Sequence, residues 1–152
     1  MALETLLVAV GTDDEERAER LANAAADVAE AAGATVVVGH VFTDDEFGDA
    51  VQRFGFDRSA DELTPGDVVE RLGPVRAIAD VLEARDVDHE FRGQVHDGDG
   101  GVVQLAEEIG ADQVFVGGRR RSPTGKAVFG SQAQEIMLNA PCPVTYVRSD
   151  ME

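Results

Sequence analysis

Gly117-Gly118-Arg119-Arg120-Arg121-Ser122-Pro123-Thr124-Gly125-Lys126-Ala127-Val128-Phe129-Gly130-Ser131 is the stretch whose surroundings decide the fold. The apolar run before it, Val114-Phe115-Val116, has the pattern of a strand. After it, the segment from Phe129 to Asn139 carries Ala133, Ile136 and Met137 at helical spacing, with Ala140 next and Pro141 stopping the helix. A glycine- and arginine-rich loop between a strand and a helix can hold an anion. Its bare backbone N–H groups point outward, and the helix N-terminus adds partial positive charge.

Outward from this loop, strands and helices alternate. Thr5 to Val10 is a continuous apolar run, as in a strand buried on both faces. Asp13 or Asp14 is placed to cap the helix that follows. Its apolar stripe runs from Ala18 through Leu21, Ala25 and Val28 to Ala32, and Gly33 ends it. Thr35 to Phe42 is a second buried strand. Residues 43–66 mix acids, glycines, prolines and Phe47, Phe54 and Phe56, which predicts a surface excursion pinned by its phenylalanines to the body or to a partner. A helix is predicted from Asp67 to Arg85, kinked or restarted at Gly73-Pro74. His89 to Val95 is a third strand, and a Gly/Asp loop from His96 to Gly101 leads to a helix marked by Val102, Leu105, Ala106 and Ile109 and closed by Gly110. Asp112 to Gly117 and Val144 to Arg148 are the remaining strands. Five strands interleaved with four helices predict a three-layer α/β/α domain over 1–152 with a five-stranded parallel sheet. In such sheets ligands sit beyond the carboxyl ends of the strands, where the strand order reverses.

Charge narrows the function. The formal net charge is −17, and Lys126 is the single lysine. A nucleic-acid backbone or an anionic membrane surface would be repelled overall. The acidic, arginine-over-lysine composition is similar to that of haloarchaeal and other salt-accumulating halophilic proteins, in which concentrated salt screens self-repulsion to within about 3 Å. One cysteine, Cys142, lies between Pro141 and Pro143 and excludes an internal disulfide. No apolar run approaches a membrane span, and Met1-Ala2-Leu3-Glu4 leads straight into a strand, so a cytoplasmic location is expected.

Several phosphate motifs fail. A Walker loop would need a glycine where Arg120 stands and a hydroxyl where Ala127 stands. A dinucleotide fingerprint would need three spaced glycines after the first strand, where Gly11-Thr12-Asp13-Asp14 is found. A receiver domain would need a lysine where the last strand ends in Arg148. His40, His89 and His96 lack metal-ligand spacing, Asp97 and Asp99 read as a solvated turn, and Asp44-Asp45-Glu46 reads as an exposed acidic run.

What fits is Gly117, twelve intervening residues, Gly130-Ser131, a helix, and then Asn139-Ala140-Pro141-Cys142-Pro143-Val144. With Leu6-Leu7-Val8-Ala9-Val10, His40-Val41 and Ala111-Asp112, this resembles the universal stress protein family along the whole chain. The resemblance implies a Rossmann-like sheet of order 3-2-1-4-5 and a homodimer, here through the last strand with Val144 and Tyr146 near its edge. It also implies, for one branch of the family, ATP binding with or without Mg2+. The site it implies comprises Val10, Gly11, Asp13, Val41, Gly117, Arg119, Arg120, Gly130, Ser131 and Gln132. Gly117, Gly130 and Ser131 match the phosphate-binding positions, and Val41 the position whose backbone meets the adenine edge. Arg120 replaces the family's second glycine, which either blocks phosphate or re-tunes its binding through a charged five-donor fork. Arg119 to Arg121 are equally readable as a solvated basic patch. Gly11 replaces an acid near the base and ribose, and Asp13 is an imperfect substitute. No nucleophile–base pair stands out, so no catalytic residue and no resident metal are expected, and any ATP hydrolysis should be slow. The alternative is a nucleotide-free dimeric scaffold for protein interaction.

Overall fold

The computed structural model describes residues 3–11, 14–56, 63–118 and 131–148. Its strands are β1 (Thr5–Ala9), β2 (Thr35–Phe42), β3 (His89–Val95), β4 (Gln113–Gly118) and β5 (Val144–Arg148). They form one all-parallel sheet of order β3-β2-β1-β4-β5. The helices are α1 (Ala18–Ala32), α2 (Asp44–Arg53), α3 (Pro65–Val69), α4 (Gly73–Ala84), α5 (Gly101–Ile109) and α6 (Ser131–Asn139), with a 3-10 turn at Glu15–Arg17 before α1. The expected five-stranded α/β/α sandwich and its strand order are therefore found.

Strand alternation splits the core in two. Leu6, Val8, Val36, Val38 and Phe115 face α1 to α4, while Leu7, Val37, Val114 and Val116 face α5 and α6. Central β1 contributes Leu6, Leu7 and Val8 with no exposed surface, which is why it reads as an unbroken apolar run. Gly33 and Gly110 close α1 and α5 in the left-handed conformation, at φ 69° and 66°.

Two expectations change. The excursion after β2 begins as a ten-residue helix, α2. Thr43 caps it by accepting from the Glu46 N–H at 3.1 Å, and the acids 44–46 form its first turn, where the helix dipole favours them. Phe47, Ala50 and Val51 share its buried face. Acids and Gly48 hid this short stripe. In the helical stretch expected over 67–85 the restart at Gly73-Pro74 is found, and what differs is its beginning. Thr64 and Asp67 make a reciprocal capping box around Pro65, so α3 starts earlier than expected, and the chain restarts at Gly73 as α4. Phe47 joins the core, and Phe54 and Phe56 pack against it. The phenylalanines thus serve the body of the protein and no longer support a partner-binding role.

α3 covers the flank of β3. A side chain at Gly93 would come within 2.6 Å of the Pro65 backbone, so the close approach of α3 requires glycine there. β5 ends the sheet on the other side.

Candidate functional site

The carboxyl ends of β1 and β2 open onto a cavity of about 230 Å3. Its walls include Gly11 after β1, His40 and Val41 of β2, the Gly98–Gly101 turn before α5, and Gln132 on the first turn of α6. The chain order reverses between β1 and β4, so this is the crevice the topology creates. Gly101 lets α5 approach β2: a Cβ there would lie 2.6 Å from Val41 Cγ1. Gly100, at φ 94°, turns the chain into α5.

His40 is the polar centre of this wall. It is 5% exposed. Its Nδ1 lies against the Val10 carbonyl. A carbonyl only accepts, so Nδ1 carries a proton and donates it. Among the described residues, Nε2 has no hydrogen-bond partner, and Glu46 Oε2 lies 3.7 Å away. Glu46, Asp99 and Glu135 add carboxylates to the lining. The cavity is therefore rich in acceptors and suited to hydroxyl and amino groups. Sequence reasoning treated the histidines as scattered, yet His40 and His96 line the same cavity. The only signal for this was the position of His40 at a strand's carboxyl end. No group of three potential ligands able to hold a metal occurs among the described residues.

The implied site residues separate as follows. Gly11, Val41 and Gln132 line the cavity. Val10 is buried and points into the other sheet face, bordering a second cleft, while its carbonyl anchors His40. Ser131 opens α6. Asp13, Arg119, Arg120 and Gly130 lie outside the described residues. Gly117 ends next to the buried pair Asp14–Arg17, whose Oδ1 and Nε are 3.0 Å apart. A Cβ at 117 would meet Arg17 Cδ at 2.5 Å, so packing already demands this glycine. Asp14 makes no capping bond to the helix; its other carboxylate oxygen accepts from the Gly11 N–H at 2.6 Å and fixes the turn after β1. At Gly118, a Cβ would overlap the Tyr146 hydroxyl, 1.6 Å away. Both glycines of the pair thus have reasons in packing that their motif does not reveal.

Cys142 is a free, half-buried cysteine. Burial, and then the nearby Asp112 charge, push its thiol above the ordinary range. Asp97 ties loops together, accepting from the Asp44 N–H at 2.9 Å.

Fold and crevice together define a parallel α/β domain with a polar cavity at its topological switch point. The model of the universal stress protein family matches residues 6–148, and the chain belongs to that family. A Thermus aquaticus relative, "Universal stress protein in QAH/OAS sulfhydrylase 3'region", is 28% identical over 149 residues, covering 95% of this chain and 98% of the relative. A universal stress protein structure from Archaeoglobus fulgidus superposes with a TM-score of 0.69 at 29% identity, over 95% of this chain and 98% of that one. A second, the universal stress protein from Archaeoglobus fulgidus in complex with dAMP, superposes with a TM-score of 0.65 at 23% identity, over 97% and 99% of the two chains.

Proposed function

We propose that this universal stress protein binds an adenine nucleotide, ATP with or without Mg2+, as a dimeric stress-response module. The observation that carries the reading is the cavity where Gly11, Val41 and Gln132 meet at the carboxyl ends of the strands. Its acceptor-rich lining matches the exocyclic amine and ribose hydroxyls of a nucleoside. The same carboxylates repel phosphates, which on this reading extend toward Arg119–Arg121 and the Gly130-Ser131 pair, and a divalent cation eases that repulsion. The dAMP complex of a relative with this fold points the same way. The place of β5 at the edge of the sheet, unpaired on its outer side among the described residues, supports dimerisation through it.

The test starts with protein prepared in concentrated KCl, extracted for retained nucleotide and then titrated calorimetrically with ATP. Binding in the micromolar range that Gly130→Glu abolishes is the expected result. No binding at millimolar ATP defeats the reading. Hydrolysis should be slow, and multiple turnovers per second would contradict that expectation. Light scattering should give twice the chain mass, reverting to the monomer in Val144→Arg.

A further inference from the structure

We propose a second ligand site, for a small organic phosphate, in the cleft on the opposite face of the sheet from the nucleotide cavity. The cleft has a volume of about 440 Å3 and lies between the end of β1, the end of α2 and the start of α4. Gly11 borders both cavities, so the turn after β1 is the partition between them.

Arg53 and Arg71 carry the argument. Both line the cleft. The Arg53 guanidinium lies 4.6 Å from the Phe54 ring centroid, and that of Arg71 5.1 Å from the Phe56 centroid. The two rings pack against the core, so each guanidinium rests on a fixed platform. Among the described residues neither arginine makes an ion pair or hydrogen bond, in a chain of net charge −17. Arg85, by contrast, engages Asp27 and Glu30. Two arginines held over rings, with no partner among the described residues, are preorganised for an oxyanion. The first turn of α4 faces the same space through Leu72, Gly73 and Pro74, and no side chain caps it. Val10, Phe54, Leu72 and Pro74 supply an apolar wall for the organic part of the ligand. Glu15 is the opposing charge in the lining. Among the described lining residues two guanidiniums face one carboxylate, a balance that suits a phosphate monoester. This site stands independently of nucleotide binding.

Inorganic phosphate and phenyl phosphate serve as probes, titrated into the full chain in KCl and followed by calorimetry and by the amide resonances of Gly11 and Gly73. Phenyl phosphate should bind more tightly than inorganic phosphate and shift both amides. Arg53→Gln and Arg71→Gln should each weaken it at least about tenfold, the loss of a charge-assisted pair. Glu15→Gln should tighten it, and Arg76→Gln, elsewhere on α4, should leave it unchanged. Gly130→Glu, which removes ATP binding on the reading above, should spare phenyl phosphate, so the two sites fail separately. Absence of phosphate binding, or affinities indifferent to both arginine substitutions, overturns the site. Phenyl phosphate binding no tighter than inorganic phosphate overturns its assignment to an organic ester.

Discussion

Glycines 117 and 118 show how a single residue type answers to two demands. Their motif suggests exposed backbone for phosphate, but their missing Cβ atoms also make room for Arg17 and Tyr146. Gly118→Ala should therefore destabilise the fold by about 1–3 kcal/mol, as overpacking does. Tyr146→Ala costs stability on its own, yet urea unfolding of the double variant should show less loss than the sum of the two. Strict additivity would mean that the ring and the glycine do not share that space. Cys142 gives a second prediction. With its thiol pushed up by burial, it should react slowly with iodoacetamide at neutral pH and much faster in denaturant. Equal rates in both states would contradict its packing role.

Among the elements, α1 and α4 are joined by Arg85, which reaches Asp27 at 2.8 Å, Glu30 at 2.6 Å and the Asn23 side chain at 3.1 Å. The hydrogen bond from Arg85 holds the Glu30 carboxyl below its ordinary range. Asp112 is held down likewise by the N–H groups of Glu4 and Thr5, at 2.9 and 3.1 Å, which tie the start of β4 to β1. Both acids hold protons more weakly in the folded chain than in the unfolded one. Their stabilisation is complete above the ordinary carboxylate range, about 4, and is lost as pH falls through the lowered folded values. Arg85→Gln and Asp112→Asn should each flatten the acid limb of a stability–pH curve, and an unchanged limb in both would refute the linkage. The Arg85 effect should shrink in molar KCl, because these partners are solvent-facing. At the sheet flank, Gly93→Ala should displace α3 and lower stability by about 1–3 kcal/mol, since the nearest atoms it meets are Pro65 backbone, followed by the Val69 side chain of the same helix.

For the molecule as a whole, net charge is the dominant quantity. At −17 over 152 residues, self-repulsion opposes the compact state in dilute buffer. The midpoint of thermal unfolding should rise steadily from dilute to molar KCl, and a flat or falling profile would remove the halophilic reading of the composition. No helix among the described residues is long and apolar enough to cross a membrane.

Much of this architecture was legible from residue order. Periodicity identifies β1, β2 and β4 because a strand buried on both faces must be apolar throughout, while half-exposed β3 shows itself by alternation, and Gly33 and Gly110 mark helix ends that need a left-handed residue. The glycine–serine spacing after β4 pointed to the family for the same reason: such spacing is tied to one loop geometry. Three-dimensional packing settled what linear order leaves open. α2 was hidden because its buried face is three residues set among acids, and only contact with the core reveals which face that is. His40 and His96, or Arg53 and Arg71, come together because parallel strands bring distant loops to one end of the sheet, and sequence separation carries no record of that proximity.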